Sequence, residues 1–346
     1  MTSPSSADVY DVTLIGAGPS GLFGAFYAGL REMRVKVIDA LPQMGGQLIA
    51  LYPEKMIYDT PGFSAIRSKE LVANLVAQAA QWKPALALGE RALHLTRAPL
   101  PGAVNQETCW RIETDKAEHL SRTVVLTVGI GAFEPAKLAN ESVTRYEGRG
   151  VSYLVQDLRA YAGKHVLVIG GGDSAVDWAL ALEPLASAVS LIHRREGFRA
   201  HDASVNALMS SRVDVKVFYE LRELQGDGRI ERAVIFDNRT QETVTLPVDE
   251  VILALGFKAD LGPIREWGLE TIGRRYVKVN NRMETNLPGV YAAGDVALQE
   301  DETPLNLIVT GYGQVTVAVN YAYTVVRPGG KVFPGHSSER SSATGA

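Results

Sequence analysis

One local pattern occurs twice in this chain, and the repeat limits its fold more than any other feature. Residues 9 to 40 read VYDVTLIGAGPSGLFGAFYAGLREMRVKVIDA, and residues 164 to 195 read KHVLVIGGGDSAVDWALALEPLASAVSLIHRR. Each stretch opens on a β-branched run, the pattern of a parallel strand buried on both faces. Each then turns through G-x-G-x-x-G/A: Gly16, Gly18 and Gly21 in the first, Gly170, Gly172 and Ala175 in the second. A helical segment and a second strand, VKVID or VSLIH, complete the unit. One such motif means little in a chain with 33 glycines. Two in full strand–turn–helix–strand context specify an α/β protein with two Rossmann-like dinucleotide cradles. Glycine permits the tight turn and lets backbone N–H groups approach a pyrophosphate, which the helix N-terminus then stabilises. Pro19 and Ser20 in the first motif, and Asp173 and Ser174 in the second, belong to the same candidate sites.

The remaining segments place these cradles in two domains. Between the copies, SKELVANLVAQAAQW (68 to 82) has helical periodicity with Ser68 as the expected N-cap. Segments 86 to 96, 109 to 114 and 121 to 128 read as strands of a smaller sheet. After the second copy, VDVKVFY, RAVIFDN and EVILALG read as strands. RRYVKVNNRMETNLPGVYAAGDVA supplies more strands, and LNLIVTGYGQVTVAVNYAYTVV a long helix. A duplication after which the chain returns to the first fold implies one discontinuous domain, 1–130 with 252–346, and one inserted domain, 131–251.

Composition excludes several classes. With 35 basic and 39 acidic residues, 35 − 39 = −4, no global basic field points to nucleic acid. No apolar run reaches the roughly 20 residues that span a bilayer, and MTSPSSADVY lacks the regions of a signal peptide. The only cysteine is Cys109. An intrachain disulfide and a cysteine-rich metal cluster are therefore ruled out, which fits a reducing cytoplasm. Within TCWRIET, Cys109 reads as a small apolar strand residue. The last residues, HSSERSSATGA, read as a frayed tail.

The end of each cradle's second strand meets the adenosine ribose, some 20 positions after the first glycine. From Gly16 to Asp39 is 39 − 16 = 23 residues, and from Gly170 to His193 is 193 − 170 = 23. The first copy offers a carboxylate, which accepts hydrogen bonds from free ribose hydroxyls and repels a 2′-phosphate. The second offers His193, Arg194 and Arg195, with Arg199 close behind in HRREGFRA. Guanidinium groups match a 2′-phosphate; a solvated basic turn is the alternative. The first site is thus expected to hold FAD or NAD, and the second NADPH. Two cofactors imply electron transfer, and a flavin is the natural partner of a nicotinamide.

GRGVSY, the GGGDSA turn, HRREGFRA, TPGF (60 to 63) and YAAGDVA (291 to 297) together resemble low-molecular-weight thioredoxin reductases. Those enzymes carry a CxxC dithiol just after this SY; here the positions are Leu154, Val155, Gln156 and Asp157. Internal thiol relay is excluded. The departure, with LPQMGGQLIALYPEKMIYDTPGF, VGIGAFEPAKL, LNLIVTGYGQ and a tail of the form FPGHSS, resembles the bacterial thioredoxin-reductase-like ferredoxin/flavodoxin–NADP(+) reductases.

That resemblance implies two domains of the three-layer ββα type, FAD and NADP(H) as cofactors, and ferredoxin or flavodoxin as transient partner. It implies Asp39 on the FAD ribose, Gln47 and Tyr52 around the flavin with Tyr52 stacked on one ring face, and Ala92 and Phe133 as further contacts. Asp295 would accept a ribityl hydroxyl, with the next helix aimed at the flavin. His336 would cover the other face, with Ser337 or Ser338 near N5, from a tail that a second subunit of a homodimer can supply. Core roles for Tyr52 and Phe133, a loop role for Gln47 and a loose end for His336 are the duller alternatives. RREGFR and GRRYVKVNNR could dock an acidic carrier or be ordinary solvated faces. Rival activities are reduction of an external disulfide, quinone, ferric chelate or oxygen, and a non-catalytic flavin sensor.

Overall fold

The computed structural model describes residues 9–103 and 107–336, and for 132–134 and 257–259 the backbone alone. The chain divides into two compact units. One gathers the described residues within Met1–Ala50, Met56–Ala132 and Ala259–Ala346; the other comprises Leu51–Lys55 and Phe133–Lys258.

The first unit is built on a seven-stranded sheet in the order Ala85–Leu88, Val35–Asp39, Val9–Ile15, Glu118–Leu126, Thr108–Thr114, Ala92–Pro99, with Val290–Ala292 also pairing Glu118–Leu126. The strands of the first repeat pair in parallel, Val12 against Val35 and Ile15 against Ile38. Their side chains explain the pairing. Val12, Leu14, Val37 and Ile38 are fully buried, each contributing about 1.5–3 kcal/mol by leaving water. Helix Pro19–Leu30 starts with Pro at its first turn, after Gly18 as cap, where the fixed ring angle suits the helix and the missing N–H costs nothing.

Three expectations change here. Segment 86–96 is two strands on opposite edges of the sheet. Gly89 at φ +67° breaks it, and bonds from Gly89 N to Leu41 O and Glu90 N to Asp39 O turn the chain. The strands from Thr108 to Leu126 form no separate smaller sheet. Glu118–Leu126 pairs antiparallel with Thr108–Thr114 at its start and in parallel with Val9–Ile15, joining both sets. Helix Ser68–Ala80 begins at Ser68, with Arg67 in the cap position; Ser68 is fully buried within the first turn.

The second unit holds a five-stranded parallel sheet, ordered Val151–Ser152, Glu250–Ala254, His165–Gly170, Ala188–His193, Asp214–Val217. A three-stranded antiparallel sheet, Tyr219–Gln225, Arg232–Asp237 and Thr243–Pro247, adjoins it in sequence. The run VDVKVFY, expected as one strand, is cut at Phe218, whose φ of +66° sends the chain from the parallel sheet into the antiparallel one. Thr243–Pro247 was not anticipated; its side chains are mostly exposed, so it lacks an apolar signal. The expectation for Cys109 holds: it is fully buried in Thr108–Thr114.

The chain beyond the long helix Ile308–Val326 is pinned by Arg31. Its guanidinium donates to Asn320 Oδ1 (2.5 Å), Val332 O (2.8 Å) and Lys331 O (2.7 Å) and lies 3.7 Å from the Tyr323 ring centroid. Arg31→Met should lower stability by about 2–4 kcal/mol, because charge-assisted bonds to partly buried acceptors are lost together. It should also speed proteolysis after residue 327. Denaturant unfolding and limited proteolysis check both; wild-type behaviour in the two would refute the clasp.

Candidate functional site

In the first unit the glycine turn sits where sheet, helix and neighbouring loops approach closest. Gly16 has φ +112°, and a Cβ there would lie 2.3 Å from Thr127 O. A Cβ on Gly21 would lie 1.8 Å from Gly16 O. Thr127 Oγ1 donates to Gly16 O at 2.8 Å and holds the turn to the end of the adjacent strand. The Gly45–Gly46 loop runs alongside: Gly45 N donates to Ala17 O at 2.8 Å, and a Cβ on Gly46 would lie 2.9 Å from Gly18 Cα.

Asp39 sits at the strand end and is nearly buried. Its Oδ2 accepts from Ala17 N (2.5 Å) and its Oδ1 from Leu41 N (2.7 Å). Burial pushes the Asp39 carboxyl above its ordinary range, against the pull of those two donors. Each oxygen keeps a further lone pair. The side chain therefore both shapes the turn and offers acceptors to a ligand.

Gln47 and Asp295, far apart in sequence, meet through a side-chain hydrogen bond. Burial raises the Asp295 carboxyl, although Gln47 and the charge of Arg275 oppose it. Next to it, Gly294 N donates to Gln314 Oε1 at 2.8 Å. Cβ atoms on Gly294 and Gly311 would lie 2.8 Å and 2.3 Å from Ser20 Oγ. The first turns of helices Pro19–Leu30 and Ile308–Val326 thus converge on Gly294, and no side chain caps either N-terminus. Free N–H groups and two helix dipoles gathered at one place suit anionic groups. Gly46, Thr127, Gly294, Gly311 and Gln314 escaped the sequence reading; the glycines of QMGGQ and YAAGD were the available signal.

Ala92 is buried at the start of its strand, opposite Thr114. Tyr52 lies in the Leu51–Lys55 stretch of the second unit, against that unit's core. There Lys55 Nζ is 5.8 Å from its ring centroid and 2.6 Å from Asp177 Oδ2. His336 stands edge-on to Phe333 at 5.3 Å between centroids. The Phe133 side chain, Ser337 and Ser338 lie outside the described residues.

The second cradle has its own geometry. A Cβ on Gly170 would lie 2.3 Å from Ala254 O, and one on Gly171 2.2 Å from the His193 ring. His193 Nε2 is 3.2 Å from Gly197 O, and the ring packs on Phe198 at 5.2 Å. Burial holds the His193 pKa below its ordinary value, and the charges of Arg194, Arg195 and Arg199 add to the effect against the Gly197 bond. His193 thus faces the glycine turn and donates from Nε2 to Gly197 O. Arg199 N donates to Gly171 O at 2.7 Å, and His201 N to Asp173 Oδ1 at 2.9 Å. These bonds fasten the HRREGFRA loop across the turn. Arg194, Arg195 and Arg199 are exposed, and among the described residues no carboxylate pairs with their guanidinium groups. The Ala175 side chain is buried below the turn. The N-cap Gly172 has no side-chain cap, and a Cβ there would meet open space. Ser174 lies exposed in that first turn.

Two dinucleotide turns in one chain have a parallel among known proteins. The pyridine nucleotide-disulphide oxidoreductase family matches residues 10–322. The chain belongs to that family. As a pyridine nucleotide-disulphide oxidoreductase it is 52% identical over 337 residues to a ferredoxin–NADP reductase of Symbiobacterium thermophilum, covering 96% of this chain and 98% of the relative. It is 47% identical over 332 residues to a ferredoxin–NADP reductase of Halalkalibacterium halodurans, covering 96% and 98%. Among solved structures, thioredoxin reductase of Lactococcus lactis in its FR conformation matches with a TM-score of 0.74 at 25% identity, over 92% of this chain and 99% of that one. The thioredoxin reductase of T. acidophilum matches in fold with a TM-score of 0.76 at 24% identity, over 92% and 98%. The disulphide half of the family name has no counterpart here: Cys109 is the only cysteine, buried in a strand.

Proposed function

We propose that this chain is an FAD-dependent ferredoxin–NADP(+) reductase, taking a hydride from NADPH and passing electrons one at a time to ferredoxin or flavodoxin. Position 154–157 carries the reading. It is Leu-Val-Gln-Asp where a thiol relay needs two cysteines, and Val155 there is fully buried. The relatives named for this reaction at about half identity, over nearly the whole chain, support it.

The first unit fits FAD. Its turn admits no Cβ at Gly16 or Gly21, so it packs tightly enough for its backbone to come close to a pyrophosphate. The uncapped helix starting at Pro19 adds its dipole. Asp39 takes the adenosine ribose, and the Gln47–Asp295 pair lies by the ribityl end, with Ala92 and Phe133 as further contacts. By the family resemblance, Tyr52 and His336 would each cover a face of the flavin ring, with Ser337 or Ser338, outside the described residues, near N5. When bound, FAD supplies the conversion between two-electron and one-electron transfer. The second unit takes NADPH, its pyrophosphate at Gly170–Ala175 and its 2′-phosphate at Arg194, Arg195 and Arg199. The protein's task is positioning, with reacting atoms roughly 3–3.5 Å apart. Asp39 would repel a 2′-phosphate and the arginines attract one, so each dinucleotide is directed to its own cradle.

The single cysteine fits work in a reducing cytoplasm, and the family resemblance alone supports a homodimer. Among the described residues no helix is long and apolar enough to cross a membrane. Stopped-flow reduction of cytochrome c by NADPH should depend strongly on added ferredoxin or flavodoxin. A rate indifferent to both would point to an external disulfide, quinone or ferric acceptor. Failure of NADPH to bleach the flavin would point to a sensor.

A further inference from the structure

We propose that Asn238 is a positioning residue for 2′-phosphate recognition, holding the arginine loop by the backbone of Arg194. The inference rests on the reading of Arg194, Arg195 and Arg199 as the phosphate site.

Asn238 follows strand Arg232–Asp237, in the turn that leads towards Thr243–Pro247. Its side-chain amide donates to Arg194 O and to Glu220 Oε1, each at 2.9 Å. A carboxamide nitrogen has two protons, and both are used. Three like charges on one exposed loop repel each other, so an unrestrained loop would spread them. A phosphate needs them to converge, with donors held in a fixed fork. Within the cradle, Arg199 N ties the loop to Gly171 O, and His193 Nε2 meets Gly197 O. Asn238 adds a tie at the loop's first arginine, reaching in from the antiparallel sheet.

Asn238 is itself braced by a costly arrangement. Its backbone N donates to Phe218 O at 2.8 Å. Phe218 has φ +66°, a left-handed conformation unfavourable for a bulky aromatic residue. The Arg239 guanidinium lies 3.9 Å from the Phe218 ring centroid. Asp237 in turn grips Arg239 through Nε at 3.1 Å and Nη2 at 2.8 Å. Strain of this kind persists only where surroundings over-determine it. Here they do so at the residue whose carbonyl orients Asn238. The bond from Asn238 to Arg194 O sets loop and turn side by side.

The test measures binding of 2′,5′-ADP and 5′-AMP to the full-length, FAD-loaded protein by calorimetry. Wild type should prefer 2′,5′-ADP. Asn238→Ala should reduce that preference about three- to ten-fold, the effect of one lost loop-fixing bond, and leave 5′-AMP affinity unchanged. Asn238→Asp, which turns an acceptor towards a carbonyl and a carboxylate, should reduce it further. In both variants kcat at saturating NADPH should stay at the wild-type value, while KM for NADPH rises and KM for NADH does not. Unchanged preference in both variants overturns the proposal. So does equal weakening of both ligands, because that marks general damage to the cradle. A wild-type protein without preference would instead overturn the arginine reading itself, so the two failures are distinct.

Discussion

Gly21→Ala should yield a colourless protein that unfolds at a clearly lower denaturant concentration. The added methyl would lie 1.8 Å from Gly16 O and 2.9 Å from both Gly16 C and Thr127 Oγ1. The obstacle at closest range is backbone, so no side-chain rotation relieves it. Gly16 in turn is fixed by its bonds to Ile38 O and from Thr127 Oγ1. Ordinary overpacking costs about 1–3 kcal/mol. A backbone overlap at the meeting point of sheet and helix should reach the upper end or exceed it, against a total stability of about 5–15 kcal/mol. The same shift would move the helix N-terminus away from a bound pyrophosphate. Flavin absorbance per chain and denaturant unfolding give the two readings. Gly172→Ala is the control: its Cβ meets nothing, so the variant should fold and stay yellow. A stable, yellow Gly21→Ala protein would refute the geometry of the first cradle.

Arg194→Ala combined with Arg195→Ala should raise the KM for NADPH about 100-fold and leave that for NADH nearly unchanged. Each charge-assisted bond to phosphate contributes about 1.5–3 kcal/mol, and solvent exposure reduces this towards the lower value. Two at the lower value give about 3 kcal/mol, or roughly two powers of ten. The wild-type KM for NADPH should also rise with salt, as expected for exposed charges, and the variant should lose most of that dependence. Equal effects on both nucleotides would disprove the phosphate role.

The cradles were legible because a dinucleotide turn is local. Strand, glycine spacing, helix and the residue 23 positions on lie within one short stretch, so Asp39 and His193 could be located by counting. What could not be counted was any arrangement made by distant segments. The Gln47–Asp295 bond joins opposite ends of the first unit's chain. By sequence position Tyr52 falls within the first domain, yet its five-residue stretch belongs to the second unit. Phe218 favours strands, and nothing nearby in sequence signals its left-handed backbone; its ring meets Arg239, twenty-one residues later. Ser68 looked like a cap because serine often is one, but tertiary burial placed it inside the helix.

The burial of Cys109 has a practical consequence. The thiol is fully enclosed in the sheet of the first unit, and burial raises its pKa although three arginines pull it down. Maleimides and other alkylating reagents therefore meet no reactive sulfur until that sheet opens. The rate of labelling in the unaltered protein reports how often it opens. Cysteines introduced at chosen surface positions would carry dyes or spin labels with almost no background from the native thiol.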